Sequence, residues 1–493
     1  MRRAEERFYG GERRSVSEMS QQRTDDMAEV AISEAKPSVG TLSSLLPKLA
    51  VTLAVAGVAR YLYSAVYQAV INEAWGDVRG QSYALREYLW HGQSVAETMS
   101  QLQVSQMRYG PVFFLVTHPL ALLGGNDRAL ELLLLGFAHL CFWLTVYLID
   151  RRFLSSSPWP VRLLFVGVAL NYTPILVTLA TKTLDMWEMM FIAMGLYLLA
   201  SPSSWQRRVA GVPVMLGVFA KMMPVLVFAF VVTRSRIAGA IGLFAGAIAL
   251  TMGHLLYGPV MGWGFLLRVP DIINNRTFPE ALWWPNSSLR GIVYKILNGF
   301  HLPAGLPRPE WYLAVDPESM AVANAGLVIL SVAVLVFVGL KLWRWQPLTE
   351  LEPIRLLGGF ALAVVLVPVF APFSTEQYYV SSLIAFVFLL RCAQLGHVSR
   401  TEGYLALVAL FLVGGILPRT VFVLLSGTWL LNMMVQSAPD LMPIEVHLFY
   451  GLPGMGLLIL TVIVMRVQWR LVQKTPVKPT VAAVGPRLNR LKV

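Results

Sequence analysis

Charged residues are scarce in this chain. Asp, Glu, Lys and Arg make up 14% of its 493 residues, whereas 56% of the residues are hydrophobic. Soluble domains carry about 25% charged residues, and the mean hydropathy here is +0.60. The composition therefore excludes an ordinary soluble protein and predicts an all-α polytopic membrane protein. The spans must be helices, because long continuous apolar blocks replace the alternating pattern of barrel strands.

Cysteine and the familiar catalytic motifs are also scarce. The chain has two cysteines, Cys141 and Cys392, both inside apolar runs, which disfavours a disulfide framework and a cysteine-type metal site. It has no phosphate-binding G-x-x-x-x-G-K-[ST] and no H-E-x-x-H. Four histidines are scattered without metal-ligand spacing: His91, His118, His139 and His254. We therefore expect no metal and no other cofactor.

The charge that is present is mostly positive, with a formal net charge of +12. In a soluble protein this excess would suggest nucleic acid, but here it fits cationic loops that face anionic membrane lipids. We expect membrane lipids as partners and no nucleic acid. The chain shows no internal repeat, so the signature of many secondary transporters is missing.

The hydropathy pattern predicts one bundle of about 11–13 spans of about 20 residues each. Residues 1–45 read as a disordered cytoplasmic tail without a cleaved signal peptide, and 469–493 as a basic cytoplasmic tail. Two long loops, 71–108 and 258–319, interrupt the transmembrane domain of 46–468. The predicted apolar blocks are 46–70, 109–123, 129–149, 161–181, 185–200, 209–232, 236–257, 320–343, 355–372, 377–394, 403–427 and 447–467. If "WQRR" (205–208) and "RSR" (234–236) both face the cytoplasm, the block 209–232 is re-entrant or broken, and Pro224 lies where it could break the helix.

The first polar constellation follows the first span, in "WGDVRGQSY" (75–83). Asp77, Arg79 and Tyr83 fall within seven positions. A carboxylate at this depth is suited to removing a proton from a sugar hydroxyl. The alternative is a solvated loop acid or an ion pair with Arg79.

The second constellation is a single charge in the apolar stretch "VFAKMMPVLVF" (218–228). An intramembrane lysine is expensive and indicates function by default, and phosphate is a natural counter-ion for Lys221. The alternative is a side chain that extends to the membrane interface.

The remaining polar constellations lie further along the chain. The stretch "NNRTFPEALWWPNSSLRGIVYKIL" (274–297) is expected to bind substrate, or to anchor the chain at the headgroups, through Arg276, Trp284, Asn286, Ser288 and Arg290. The stretch "VFAPFSTEQYYVSSLIAFVFLL" (369–390) presents Glu376, Gln377 and Tyr378 at a helix start, either for a ligand or as an ordinary N-terminus. A plain interhelical turn is the favoured interpretation of Lys182, Asp185 and Glu188 in "LATKTLDMWEMM" (179–190).

The order of these features resembles the GT-C glycosyltransferases that use polyprenyl-phosphate sugars, particularly glycosyltransferase family 87, which includes bacterial α-mannosyltransferases. Four stretches carry the resemblance: "GDVRGQSYALREYLWHGQ", "MRYGPVFFLVTHPLALL", "FAKMMPVLVF" and "WPNSSLRGIVYKIL". They depart from the family pattern at Gly110, which stands where the family has proline, and at Ser287, which stands for glutamine. Thr375 and Gln377 replace the family's Ser-Trp-x-His pattern.

The resemblance implies a GT-C bundle with an extracytoplasmic active site, in the bacterial inner membrane. It implies inverting transfer of a sugar, most favourably mannose, from a polyprenyl-phosphate donor to a glycolipid or glycan acceptor. Asp77 would be the base. The donor phosphate would be held by Lys221, Arg276 or Arg290. The other predicted substrate contacts are Arg79, Tyr83, Trp284, Asn286, Ser288, Glu376, Gln377 and Tyr378.

Two other classes of function stay open from the sequence. A secondary transporter or lipid flippase would also be an apolar bundle, although its polar residues should lie in paired broken helices. A non-catalytic assembly factor descended from such enzymes would explain the departure at "STEQYY".

Overall fold

The structure of the protein is a computed structural model. It describes residues 39–70, 77–95, 97–98, 109–124, 127–181, 183–222, 224–267, 282, 285–300, 313, 315–344, 352–371, 374–414, 448 and 450–473. For Asp77 to Gln81 only the backbone is described. Residues 1–38 of the predicted tail 1–45, and residues 474–493 of the predicted tail 469–493, lie outside the described residues, whereas 39–45 and 469–473 belong to helices.

All regular structure in the described residues is helical. The helices are α1 (Val39–Val70), α2 (Asp77–His91), α3 (Pro111–Gly124), α4 (Asp127–Ile149), α5 (Trp159–Asn171), α6 (Thr173–Thr181), α7 (Asp185–Leu199), α8 (Ser204–Val209), α9 (Gly211–Ala220), α10 (Val225–Arg234), α11 (Arg236–Tyr257), α12 (Leu289–Leu297), α13 (Pro317–Phe337), α14 (Glu352–Phe370), α15 (Leu383–Gln394), α16 (Arg400–Gly414) and α17 (Leu452–Gln473). A 3₁₀ helix, Glu376–Ser382, precedes α15. The predicted all-α class is confirmed.

Six helices of the described chain are long and apolar enough to cross a membrane. They are Leu45–Val70, Arg128–Leu154, Arg236–Tyr257, Pro317–Leu342, Glu352–Phe370 and Leu452–Gln473. The pair α5 and α6 makes a seventh span if its two halves, bent by 42°, are counted together. The other predicted blocks correspond to shorter helices, such as α3 with 14 residues, and 415–427 lies outside the described residues.

The block 209–232 is broken, as predicted. Helix α9 ends at Ala220, and Lys221 is extended with φ −154° and ψ 127°. Pro224 then precedes the first residue of α10. A proline inside a helix removes one hydrogen bond and collides with the preceding turn, so one continuous helix does not form across Pro224.

A second break separates α5 from α6 at Tyr172, which has φ −70° and ψ 108°. Pro174 sits in the first turn of α6, where its missing N–H costs nothing. The Tyr172 hydroxyl is 2.6 Å from Ser382 Oγ, so this break is joined to the 3₁₀ helix. Both interruptions therefore place backbone ends in the interior of the bundle.

The helices differ strongly in their position within the bundle. In α14, 83% of the most apolar window is buried, whereas in α13 only 6% is. Helix α14 is therefore central and α13 faces outwards. Helix α2 occupies part of the predicted first loop and packs against α3. Helix α12 occupies part of the second loop.

Candidate functional site

The centre of the site is a buried ion pair between Lys221 and Asp185. Lys221 Nζ lies 2.6 Å from Asp185 Oδ1, and the two side chains are 9% and 3% exposed. Thr183 Oγ1 donates to the other carboxylate oxygen, Oδ2, at 2.6 Å. Asp185 is the first residue of α7, where the helix dipole favours a negative charge. The break after α9 and the start of α7 thus bring opposite charges together inside an apolar bundle.

Tyr378 covers the ammonium group of this pair. Lys221 Nζ is 4.1 Å from the centroid of the Tyr378 ring, within the range of a cation–π contact. Tyr378 lies in the 3₁₀ helix, which packs against α7. Two predicted site residues from distant parts of the sequence therefore meet directly.

Glu188 lies one turn after Asp185 on α7 and is 7% exposed. Its Oε2 atom is buried and has no hydrogen-bond partner in the described structure. The neighbouring Trp187 stacks on Phe113 with 5.9 Å between ring centroids. The Lys221 ammonium group therefore lies in a buried region that also holds the carboxyl groups of Asp185 and Glu188.

A network of hydrogen bonds joins residues 286–288 of the second long loop to Ser374, just before the 3₁₀ helix. Asn286 Oδ1 accepts hydrogen bonds from the backbone N–H groups of Ser288 and Ser374, each at 3.0 Å. Ser287 N donates to Ser374 O at 2.7 Å. The Tyr379 hydroxyl donates to Ser287 O at 2.9 Å. The two loops therefore form one buried unit that positions Tyr378.

Asn286 and Ser288 are fully buried and bonded within the protein. Ser288 Oγ accepts from Gly291 N at 3.1 Å and caps α12. These bonds give both residues positioning roles, and a direct contact with substrate by either stays a prediction.

Arg290, in the first turn of α12, is half-buried and has no carboxylate partner in the described part of the chain. Burial lowers the pKa of its guanidinium group from the ordinary value, but an arginine stays charged at neutral pH. Arg290 is therefore a cation whose charge the described residues leave uncompensated.

The 3₁₀ helix also carries the other two predicted residues, Glu376 and Gln377. Glu376 is 3% exposed. Gln377 faces α6, where Thr181 Oγ1 is 3.5 Å from Gln377 Oε1. Tyr378, the next residue, contacts Lys221. The departure from the family pattern at Gln377 thus lies against α6, whereas Tyr378 belongs to the charged centre.

The structure describes only part of the first predicted group of site residues, Asp77, Arg79 and Tyr83. Asp77 is the first residue of α2, and the Tyr83 ring lies 5.2 Å from the Arg86 guanidinium carbon. Helix α2 packs on α3, and the residue before α3, Gly110, donates its N–H to Ala220 O at 3.0 Å. The side chains of Asp77 and Arg79 lie outside the described structure, as do Arg276 and Trp284.

Sequence reasoning did not place Asp185, Glu188 or Thr183 in the site. A plain turn was the favoured interpretation of Asp185 and Glu188, yet both are buried beside Lys221. One signal was available, because a lysine inside an apolar stretch requires a counter-charge. Lys182, the sequence neighbour that would offer a local ion pair, lies outside the described residues.

The fold and site together define a polytopic helical membrane protein with a buried charged centre. A family model for glycosyltransferase family 87 matches residues 108–368, more than half of the chain. The chain belongs to glycosyltransferase family 87, and the predicted resemblance is confirmed. It is therefore a glycosyltransferase by family, which disfavours the transporter and flippase alternatives.

Two solved structures are similar to the chain. They are crystal structures of ArnT from Cupriavidus metallidurans, in the apo state and bound to undecaprenyl phosphate. The sequence identities are 17% and 16%, and each match has a TM-score of 0.37 and covers 84% of this chain and 77% of that chain. No curated protein matches the chain significantly.

Proposed function

We propose that the protein transfers a sugar, most favourably mannose, from a polyprenyl-phosphate donor to a glycolipid or glycan acceptor outside the cytoplasm. One observation supports this most strongly. Three of the family-like segments, at Gly110, at Lys221 and at Asn286, are joined to one buried polar centre inside an apolar bundle. Proteins keep such costly groups in a membrane where they have a chemical task.

Asp77 is the proposed base. Transfer with inversion needs one group that removes the proton of the acceptor hydroxyl on the side opposite the leaving phosphate. A carboxylate at the first position of α2 lies on a helix that packs against α3. Helix α3 in turn begins beside the Lys221 break. We propose Arg79 and Tyr83, on the same helix, as substrate contacts.

The donor phosphate is proposed to bind arginines of the second loop. Lys221 already has Asp185 as its carboxylate partner, so it adds less net attraction than a cation that has no carboxylate partner among the described residues. Arg290, with Arg276 as the second candidate, offers the planar donor geometry that suits phosphate. These cations would stabilise the charge that grows on the leaving phosphate.

The lipid chain of the donor is proposed to enter a cavity of about 440 Å³ between α1, α5, α15 and α16. Its lining is apolar except for Asn171 and Tyr172. Tyr172 bonds to Ser382 at the end of the 3₁₀ helix that carries Tyr378. This arrangement connects a hydrocarbon-lined space with the charged centre, as a lipid-linked sugar requires. We propose the remaining predicted residues, Trp284, Glu376, Gln377 and Tyr378, as contacts around the sugar, in a bacterial inner membrane.

The test is a transfer assay with purified protein, polyprenyl-phosphate mannose and a membrane lipid extract. The wild type should release polyprenyl phosphate and form a mannosylated product, and Asp77→Asn should lose most turnover while it still binds the donor. Asp150→Asn is a matched control, because Asp150 is paired with Arg162 away from the centre.

The assay tests the class of reaction and the role of Asp77 separately. No transfer by the wild type from any polyprenyl-phosphate sugar would favour a non-catalytic assembly factor. Full turnover by Asp77→Asn would remove Asp77 as the base but leave the class of reaction intact.

A further inference from the structure

Glu188 has a buried carboxyl oxygen that the described structure leaves without a partner. The residue is 7% exposed and its Oε2 makes no hydrogen bond there. Lys221, the cation described in this centre, donates its hydrogen bond to Asp185. Both carboxylate oxygens of Asp185 already have a partner, because Thr183 donates a hydrogen bond to the second one. Of these two acids, Glu188 is therefore the one with a carboxyl oxygen that has no hydrogen-bond partner among the described residues.

A buried polar atom without a partner lowers the stability of the folded protein, and native structures keep few of them. One that persists beside a chemical centre indicates a partner that arrives with the substrate. As whole residues, Lys221 and Glu188 are 8% and 7% exposed, so neither residue is completely enclosed by the protein.

The charges of the centre restrict that partner. With both carboxyl groups ionised, one ammonium group faces two carboxylates and the cluster is net negative. A phosphate at Glu188 would be repelled. A neutral hydroxyl fits either state of Glu188, since a hydroxyl both donates and accepts hydrogen bonds: it donates to the carboxylate or accepts from the protonated acid.

We infer that Glu188 binds a hydroxyl group of a sugar and so helps to decide which sugar the enzyme accepts. This inference rests on the proposed function. The Asp185–Lys221 pair holds the start of α7 and the 3₁₀ helix in place, which sets the position of Glu188. The sugar of the lipid donor is the expected source of the hydroxyl, because Arg290, the proposed phosphate ligand, follows the Asn286 segment that is hydrogen-bonded to Ser374, just before the 3₁₀ helix. The sugar of an acceptor is the other source.

Binding is the decisive measurement because it does not require turnover. Titration calorimetry of the purified protein would compare polyprenyl-phosphate mannose, polyprenyl phosphate without a sugar, and methyl α-mannoside as an acceptor-like probe. The variants are Glu188→Met, which removes the hydrogen-bonding group, and Glu188→Gln, which keeps the shape and fits the site if Met does not fold. Glu352→Gln is the matched control, because Glu352 pairs with Arg234 at the opposite end of α14 from the site.

The wild type should bind the sugar-bearing lipid more tightly than the sugarless one. Glu188→Met should reduce that advantage by roughly 10- to 100-fold, the loss expected for a hydrogen bond to a charged group, and Glu188→Gln should reduce it less. Affinity for the sugarless lipid should not change. An effect confined to methyl α-mannoside would support the hydroxyl contact and assign it to the acceptor.

The inference would be overturned if both Glu188 variants bound the sugar-bearing lipid more tightly than the sugarless lipid by the same factor as the wild type. If Glu188→Met does not fold, the same result for Glu188→Gln alone would overturn it. So would a wild type that does not distinguish sugar-bearing from sugarless lipid and does not bind methyl α-mannoside. A wild type that shows the sugar-dependent binding but transfers nothing would contradict the proposed function and still support the role of Glu188.

Discussion

Gly110 donates its backbone N–H to the carbonyl of Ala220 at 3.0 Å, one residue before Lys221. A Cβ atom at Gly110 would lie 2.1 Å from Phe219 O, a distance that requires backbone movement. The family pattern has proline at this position, but a proline has no N–H to donate. The glycine is therefore part of the structure that fixes the break at Lys221.

Gly110→Ala should destabilise the protein by about 1–3 kcal/mol, as overpacking of a filled interior does, and Gly110→Pro should cost more because the hydrogen bond is also lost. Thermal unfolding in detergent measures both. Gly136→Ala is the control, since nothing lies within 4 Å of a Cβ there. Equal melting temperatures for Gly110→Ala and wild type would show that the 219–221 backbone moves freely.

Breaking the central ion pair should destabilise the protein strongly. Lys221→Met or Asp185→Leu alone leaves a buried charge without a partner, which costs about 3–5 kcal/mol. The double variant removes both charges and should cost clearly less than the sum of the two single changes. The exposed pair of Arg162 and Asp150 offers the control, where Arg162→Met should cost about 0–1 kcal/mol. Additive losses in chemical unfolding would argue against direct coupling.

Parts of this architecture follow from local sequence. The block predicted at 236–257 is α11, Arg236–Tyr257, because charges precede it and Gly258 follows it with φ 88°, a conformation that favours glycine. The break near Pro224 was predictable because proline cannot continue a helix. Family membership was also predictable, from short motifs in a fixed order.

The charged centre was less predictable, because it depends on tertiary structure. Asp185 and Lys221 are 36 residues apart in the chain, and the chain runs through α7, α8 and α9 between them. Asn286 and Ser374 are 88 residues apart. Hydropathy shows that Lys221 needs a counter-charge, but the choice among the acids of the chain depends on how the helices pack. Local spacing favoured a turn for Asp185, and that interpretation gave no reason to expect the burial of Asp185 and Glu188.

Stability should depend on pH through Lys295 of α12. Its side chain is fully buried, its Nζ donates to Leu448 O at 2.8 Å, and burial lowers its pKa from 10.5 to about 7. Between these values the unfolded chain holds a proton that the folded protein does not. Stability from this group therefore rises with pH across that window and is constant below about 7.

Lys295→Met should remove this dependence. It should stabilise the protein most at pH 7 and below, and the gain should shrink by up to about 1.4 kcal/mol per pH unit as the pH rises towards 10.5. Chemical unfolding at several pH values measures the gain. Lys341→Met is the control. It removes an exposed lysine and so measures the change in stability that any Lys→Met substitution causes. A gain that grows with pH would contradict the prediction.

Filling the apolar cavity should weaken binding of long-chain donors selectively. Ala406 lies on α16 in the lining of the cavity of about 440 Å³, and Ala406→Trp would occupy part of it. Each buried methylene contributes about 0.8 kcal/mol, so the loss of about two of them should raise the KM for a long-chain polyprenyl-phosphate sugar roughly 10-fold. The KM for a short-chain analogue should change little, because its chain does not extend far into the cavity.

Ala321→Trp, on the outward-facing helix α13, is the matched control for the effect of a large aromatic side chain. An equal rise in KM for both donors would mean that Ala406→Trp distorts the bundle, and an unchanged KM for both would move the lipid chain to another face of the protein.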